Sequence, residues 1–303
     1  MRKILGLGLI LIGLGVLPLY KPHQKRPDAP SSGVLPTPPE KDIHYDSYRL
    51  DQSVVHTLWI PAGSRFLVTP ALSPQLSTLE NFAQKQQAVA AINGGFFDPQ
   101  NQKSNSYIVR QGVLEADPSL NERMMNNPNL APYLQKILNR SEFRQYRCGQ
   151  TIRYDIALHA EPPPPGCQLV HALGGGPRLL PEMSLVQEGF LVVANGKVIR
   201  DPLGSNQPNA RSAVGITHDG SIVLVMVAQK PEAPTSSGMS LPALAAFMKT
   251  LGVEKAINLD GGSSSSFYYK GESFYGKVNE KGNWVRRQVK SVLLIQQTTG
   301  NFK

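Results

Sequence analysis

Two segments far apart in the chain end in the same way, and that pairing restricts the fold more than any other feature. "AAINGGFFD" starts at residue 90 and "AINLDGGSSSS" at residue 256. Each is a short apolar run closed by a polar side chain, Asn93 or Asp260, and then by two glycines. A nearly continuous apolar run predicts a strand buried on both faces. Paired glycines at its end predict a tight turn where backbone approaches another group closely. A strand end with a polar side chain beside bare backbone is a place to hold an anion, and two such ends could sit side by side.

The remaining pattern predicts many short strands and few helices. "HYDSYRLDQSVVHTLWIPAG" reads as one or two early strands. "SPQLSTLENFAQKQQ" reads as a helix capped by Ser73 with Pro74 in its first position. Residues 117–146 are polar and Asn-rich, with apolar spacing at Leu130, Tyr133, Leu134, Ile137 and Leu138; they read as a helical insertion. Asn195-Gly196 and Asp219-Gly220 each join two apolar runs and predict hairpins. The His218-Asp219 pair is explained by that turn rather than by metal binding. "SLPALAAFMKTLG" predicts a helix capped by Ser240 and ended by Gly252, and "RRQVKSVLLIQQ" a last core strand. The expectation is a single α+β domain with a mixed, largely antiparallel sheet packed by a few helices.

Composition bounds the class. The chain has 303 residues, 41% of them hydrophobic and 17% charged, which suits a folded domain with a full core. The formal net charge is +9. That favours anionic partners such as phosphates, acidic glycans or a membrane surface, and no zinc-ligand spacing or aromatic-plus-basic pattern points to nucleic acid. "MRK" precedes an uncharged apolar run at residues 4–20, and residues 21–42 are rich in proline. This reads as a signal anchor or signal peptide over 1–20, a Pro-rich linker over 21–42, and a folded domain over 43–303. The chain is expected to be exported. It would stay membrane-anchored on the periplasmic or extracellular side, or be secreted if the N-terminus is cleaved. In that compartment Cys148 and Cys167 are expected to form a disulfide.

"ALGGGPRLL" at 172–180 is a third glycine cluster, yet it matches neither a dinucleotide fingerprint nor a P-loop. Ser263–Ser266 do not stand in a G-x-S-x-G elbow, so serine-hydrolase chemistry is not indicated. Taken in order, "AINGGFFD", "GGGPRLL", "ARSAVGIT", "GMSLPALAAFMKTLGVEKAINLDGGSSSS" and a closing R-x-V-x-S (Arg287, Val289, Ser291) resemble the phosphodiester glycosidase family. This is the domain of the N-acetylglucosamine-1-phosphodiester α-N-acetylglucosaminidase that uncovers mannose 6-phosphate. The resemblance spans about residues 85–297. Ser263 departs from it, standing where the family commonly has a third glycine, and the insertion at about 117–146 and the cysteine pair lie outside the shared motifs.

The resemblance implies hydrolysis of a sugar joined through its anomeric carbon to a phosphodiester, here in envelope or extracellular glycans. The released phosphate monoester is a good leaving group, so one carboxylate and several phosphate-binding groups are needed rather than a strong general acid. Asp260 is the expected carboxylate. Arg211 and Arg287 are the expected phosphate ligands, Arg287 being chosen over Arg286 from the family pattern. Gly261, Gly262 and Ser263 would donate backbone N–H groups. Asn93, with Gly94 and Gly95, would hold sugar hydroxyls or orient Asp260. Asp98 and Glu115 are reserve carboxylates, and His171 reads as a packed core histidine. No cofactor is required, although Asp260, Asp98 and Asn93 could offer oxygen ligands to a divalent cation. The alternative function is a non-catalytic cell-surface module that binds anionic glycans, with the replaced glycine marking a degenerate site.

Overall fold

Every strand pairing among the described residues is antiparallel. The computed structural model describes residues 41–298. The expected membrane segment at 1–20 and nearly all of the linker at 21–42 lie outside them. Among the described residues no helix is long and apolar enough to cross a membrane.

Among the described residues the strands form three sheets and one separate ribbon, where the sequence suggested one mixed sheet. The six-stranded sheet has the order His44–Arg49, Val54–Ile60, Ile222–Ala228, Arg211–Thr217, Val253–Asn258, Arg178–Leu180. A five-stranded sheet has the order Glu272–Tyr275, Ser266–Tyr269, Ala90–Asn93, Val289–Gln297, Phe66–Ser77. The second five-stranded sheet has the order Val113–Ala116, Ile108–Arg110, Cys167–Gly174, Ser141–Cys148, Thr151–Leu158. Strands Val192–Ala194 and Lys197–Arg200 form the ribbon, with Asn195 and Gly196 both at positive φ as the Asn-Gly turn requires. The expected parallel pairing is absent for a geometric reason. Helix Leu241–Thr250 does carry the chain from strand Ile222–Ala228 to strand Val253–Asn258, but Arg211–Thr217 lies between those two and pairs antiparallel with both.

Burial on both faces explains the unbroken apolar runs. All of Ile222–Ala228 is buried. One face of the six-stranded sheet joins the shared core through Leu58, Val214, Leu224 and Ile257, which meet Ile92, Phe267 and Leu293 of the neighbouring sheet. The other face carries Ala213, Val223 and Ala256 against Leu241, Leu244 and Met248 of the helix. Each such leucine or isoleucine contributes roughly 1.5–3 kcal/mol, so the polar strand ends ride on a strongly held frame. Ser240 caps that helix, its Oγ accepting from Ala243 N at 3.2 Å, as its sequence indicates.

Two sequence expectations are corrected. The helix expected to begin at Ser73 starts later, at Leu79–Lys85, where Thr78 Oγ1 accepts from Asn81 N at 3.3 Å. Residues 66–77 are an edge strand, and Pro74 falls where its register against Val289–Ser291 shifts, a place that needs no N–H donor. The insertion at 117–146 is not one helix. It holds single turns, Glu122–Met125 and Leu134–Ile137, with 3₁₀ pieces at Pro118–Leu120 and Ala131–Tyr133; Pro128 and Pro132 interrupt any longer helix. Ser141–Cys148 is a strand, and Cys148 and Cys167, direct partners on adjacent strands, form the disulfide.

Candidate active site

The two strand ends meet although they belong to different sheets. Asp260 N donates to Gly94 O at 3.0 Å, and Asn93 Nδ2 donates to Asp260 O at 2.6 Å. The third glycine cluster closes the junction from behind. Gly176 N donates to Asn258 O at 2.8 Å, while Asn258 Nδ2 donates to Gly176 O at 2.9 Å. Close approach explains these glycines. A Cβ on Gly94 would lie 2.8 Å from the Ser291 carbonyl oxygen, and one on Gly95 would lie 2.3 Å from Gly174 O. Gly95→Ala is therefore expected to lower stability by more than about 3 kcal/mol, since backbone faces the new methyl and cannot swing aside. Urea denaturation measures it; a loss below about 1 kcal/mol would show that the junction can relax.

This packing revises several expected roles. Gly94 N donates to Ser291 O at 2.8 Å and Gly95 N to Ser291 Oγ at 3.2 Å, so neither amide faces a ligand. Asn93 is fully buried, and its Oδ1 accepts from Ser212 Oγ at 2.6 Å and from Ser266 N at 3.1 Å. It holds the backbone of Asp260 and, being fully buried, does not reach a sugar hydroxyl. Gly262, at φ +59°, donates to Ala210 O at 2.8 Å, so that donor too is internal.

Asp260 itself is only partly covered, and Gly261, Gly262 and Ser263 beside it are also partly open. Burial of its carboxyl is the largest influence and pushes the pKa up to about 6, against the opposing pull of Ser264, the nearby Arg287 charge and the Gly261 N–H. The reserve carboxylates differ. Asp98 pairs with Arg123 at 2.8 Å and Glu115 with Arg110 at 3.3 Å. With Asp98 paired and the Asn93 carbonyl already accepting twice, these two do not join Asp260 as a set of free cation ligands.

The two expected arginines part company. Arg287 Nη1 donates to Ser263 Oγ at 2.7 Å, and its guanidinium lies over the Phe97 ring, 5.2 Å from the centroid. It thus bridges the Phe97 end of the first motif and the Ser263 turn of the second. Ser263 is not among the described non-glycine residues with positive φ, so its backbone does not need the family's glycine. Arg211 is 2% exposed and turns away. Its guanidinium donates to four backbone carbonyls, Met239 at 3.0 Å, Leu203 at 3.0 Å, Gly204 at 2.9 Å and Gln207 at 2.9 Å. The expectation that Arg211 binds phosphate is corrected on this ground: it organises loop 203–209, whose carbonyls occupy its donors.

That loop also meets a side chain the sequence did not single out. Lys277 Nζ donates to Asn209 Oδ1 at 3.2 Å, next to the glycine turn, since a Cβ on Gly262 would sit 3.7 Å from Asn209 Nδ2. Burial and the neighbouring Arg211 charge lower the Lys277 pKa. "YGKVNE" carries no motif, so only strand packing could have found it. His171 is half-buried in another sheet, where its Nδ1 meets Gln111 N at 3.3 Å, and stands apart from this junction.

Comparison with known proteins gives one family and one fold. The model of the phosphodiester glycosidase family matches residues 86–296. No curated protein sequence matches the chain. The zebrafish N-acetylglucosamine-1-phosphodiester α-N-acetylglucosaminidase catalytic domain, auto-inhibited by its pro-peptide, is similar with a TM-score of 0.60 and 19% identity over 85% of this chain and 83% of that one. A Synechocystis protein described as hypothetical gives 0.53 and 19% over 83% of this chain and 61% of its own. A protein described as exported from Burkholderia pseudomallei gives 0.52 and 16% over 80% and 74%.

Proposed function

Because this chain belongs to the phosphodiester glycosidase family, we propose that it hydrolyses sugar-1-phosphodiesters between the anomeric carbon and the phosphate oxygen. Water adds to the sugar and a phosphate monoester leaves. The observation that carries this reading is the meeting of Asp260 with Arg287 and Ser263 at the junction of the two strand ends. With a pKa near 6, Asp260 is largely ionised at neutral pH. It supplies the negative charge opposite the anomeric carbon, where an oxocarbenium-like transition state develops positive charge. Arg287, held by Ser263 and Phe97, takes the phosphate oxygens and favours their departure. A free-standing acid is not needed, because the leaving phosphate has a second pKa near 6.

Ser263 removes one ground for a binding-only module, that the replaced glycine marks a degenerate site. The residue that departs from the family pattern is the one that orients Arg287. The cross-strand disulfide supports an oxidising compartment, so the substrates proposed are glycans of the envelope or the extracellular side.

Release of reducing sugar from an N-acetylglucosamine-1-phosphodiester tests the activity. Arg287→Ala is expected to lower kcat/KM about 10²-fold or more, with Arg287→Lys restoring part of it. Unchanged turnover in the alanine variant rejects the phosphate role. The wild-type kcat/KM is expected to fall tenfold per pH unit below an apparent pKa near 6, because protonating Asp260 removes the working form. A flat profile down to pH 4.5 rejects Asp260 as the ionised group.

A further inference from the structure

An open depression of about 700 Å³ adjoins this junction, lined by Leu76, Thr78, Ser263, Arg286, Arg287 and Gln288. Val285 completes its wall, and Asp260 is not part of it. Ser263 and Arg287, which adjoin Asp260, thus line the depression together with Arg286. If the sugar lies over Asp260 and its phosphate over Arg287, the depression receives whatever leaves with the phosphate.

Its chemistry is cationic. Arg286 lies over the Tyr275 ring, 5.4 Å from the centroid, and Arg287 over Phe97. Among the described residues neither guanidinium stands in an ion pair with a carboxylate. Glu80, the acid that shares Tyr275 with Arg286, already accepts from the Tyr275 hydroxyl at 2.5 Å. Lys290, close by in the chain, donates to Pro74 O at 2.8 Å and adds positive potential. Two guanidiniums that hold no direct ion pair, neighbours in the lining of one depression, match an anion larger than one phosphate.

We infer that this depression is a leaving-group subsite for a second anionic group, so that the preferred substrate joins its sugar phosphate to a further phosphate-bearing unit. The inference rests on the proposed hydrolysis for its direction. Arg287 holds the scissile phosphate and Arg286 holds the next one, as in a phosphodiester polymer or a short bisphosphate.

The test compares two α-N-acetylglucosamine 1-phosphate esters, one of methanol and one of glycerol 3-phosphate. For the wild type, kcat/KM is expected to favour the glycerol 3-phosphate ester about tenfold at low salt, with the ratio shrinking as salt screens the exposed Arg286. In Arg286→Gln that ratio should drop to within twofold of one, and Arg286→Lys should recover part of it. Equal rates for the two esters in the wild type, or a preference that survives in Arg286→Gln, overturns the inference. A third ester ending in a diglycerol bisphosphate separates polymer from short ligand, since a further gain marks an extended anion. If neither ester is cleaved, the hydrolysis itself is wrong, and calorimetry with glycerol 1,3-bisphosphate still decides the subsite. Binding at least fivefold weaker in Arg286→Gln upholds the subsite; equal binding in both proteins removes it.

Discussion

Asp260→Asn is expected to abolish hydrolysis while making the protein more stable at neutral pH. Loss of the carboxylate should cut kcat by about 10³-fold or more, as removal of a charged reacting group does elsewhere. The stability change has the opposite sign because the folded state raises the Asp260 pKa from 3.8 to about 6. A raised carboxylate pKa means that ionisation opposes folding. Below pH 4 the group is protonated in both states and the opposition is absent. It grows between pH 4 and pH 6 and is complete above. Asparagine never ionises, so the variant should gain about 2–3 kcal/mol at pH 7.5 and almost nothing at pH 4. Urea denaturation at the two pH values reads this directly. A variant that is inactive and also less stable at pH 7.5 would mean that the carboxylate chiefly serves the turn, through the Gly261 N–H and Ser264. An active variant would remove Asp260 from the chemistry.

Arg211→Ala should have the largest effect on folding. The side chain is buried, and burial pulls its pKa down only to about 10, so it stays charged at neutral pH. Its charge is met by the carbonyls of Leu203, Gly204, Gln207 and Met239. Alanine leaves those oxygens without donors and the loop without its centre. A loss of about 3–5 kcal/mol is expected, and Arg211→Lys should recover little, because one ammonium cannot span carbonyls that a planar guanidinium reaches together. If instead Arg211 touched substrate, stability would stay near wild type and KM would rise. Denaturant midpoints set beside KM values separate the two cases.

The contrast between Arg211 and Arg287 shows where sequence reasoning stops. Both are arginines next to apolar strands, and both fit a family pattern. Which one points into the site depends on what the adjoining loop does. Residues 203–209 fold back over Arg211 and supply carbonyls, whereas Arg287 comes from an irregular stretch beside the Ser263 turn. The same limit applies to Gly94 and Gly95. The sequence announces that backbone must come close there, but not that the close partner is Ser291 or Gly174 rather than a ligand.

By itself the sequence determined the local order: the hairpin turns, the Ser240-capped helix, the buried strands, and the two polar ends followed by glycine pairs. Those features depend on periodicity, capping and turn geometry, which act within about a dozen residues. Tertiary structure alone decided that strands 90–93 and 253–258 lie in different sheets yet join through Gly94 and Asp260. It also decided that Pro74 sits at an edge-strand irregularity, and that Lys277 and Arg286 flank the same turn. These are contacts between segments far apart in the chain. Their partners are selected by packing of whole sheets, so no local pattern records them.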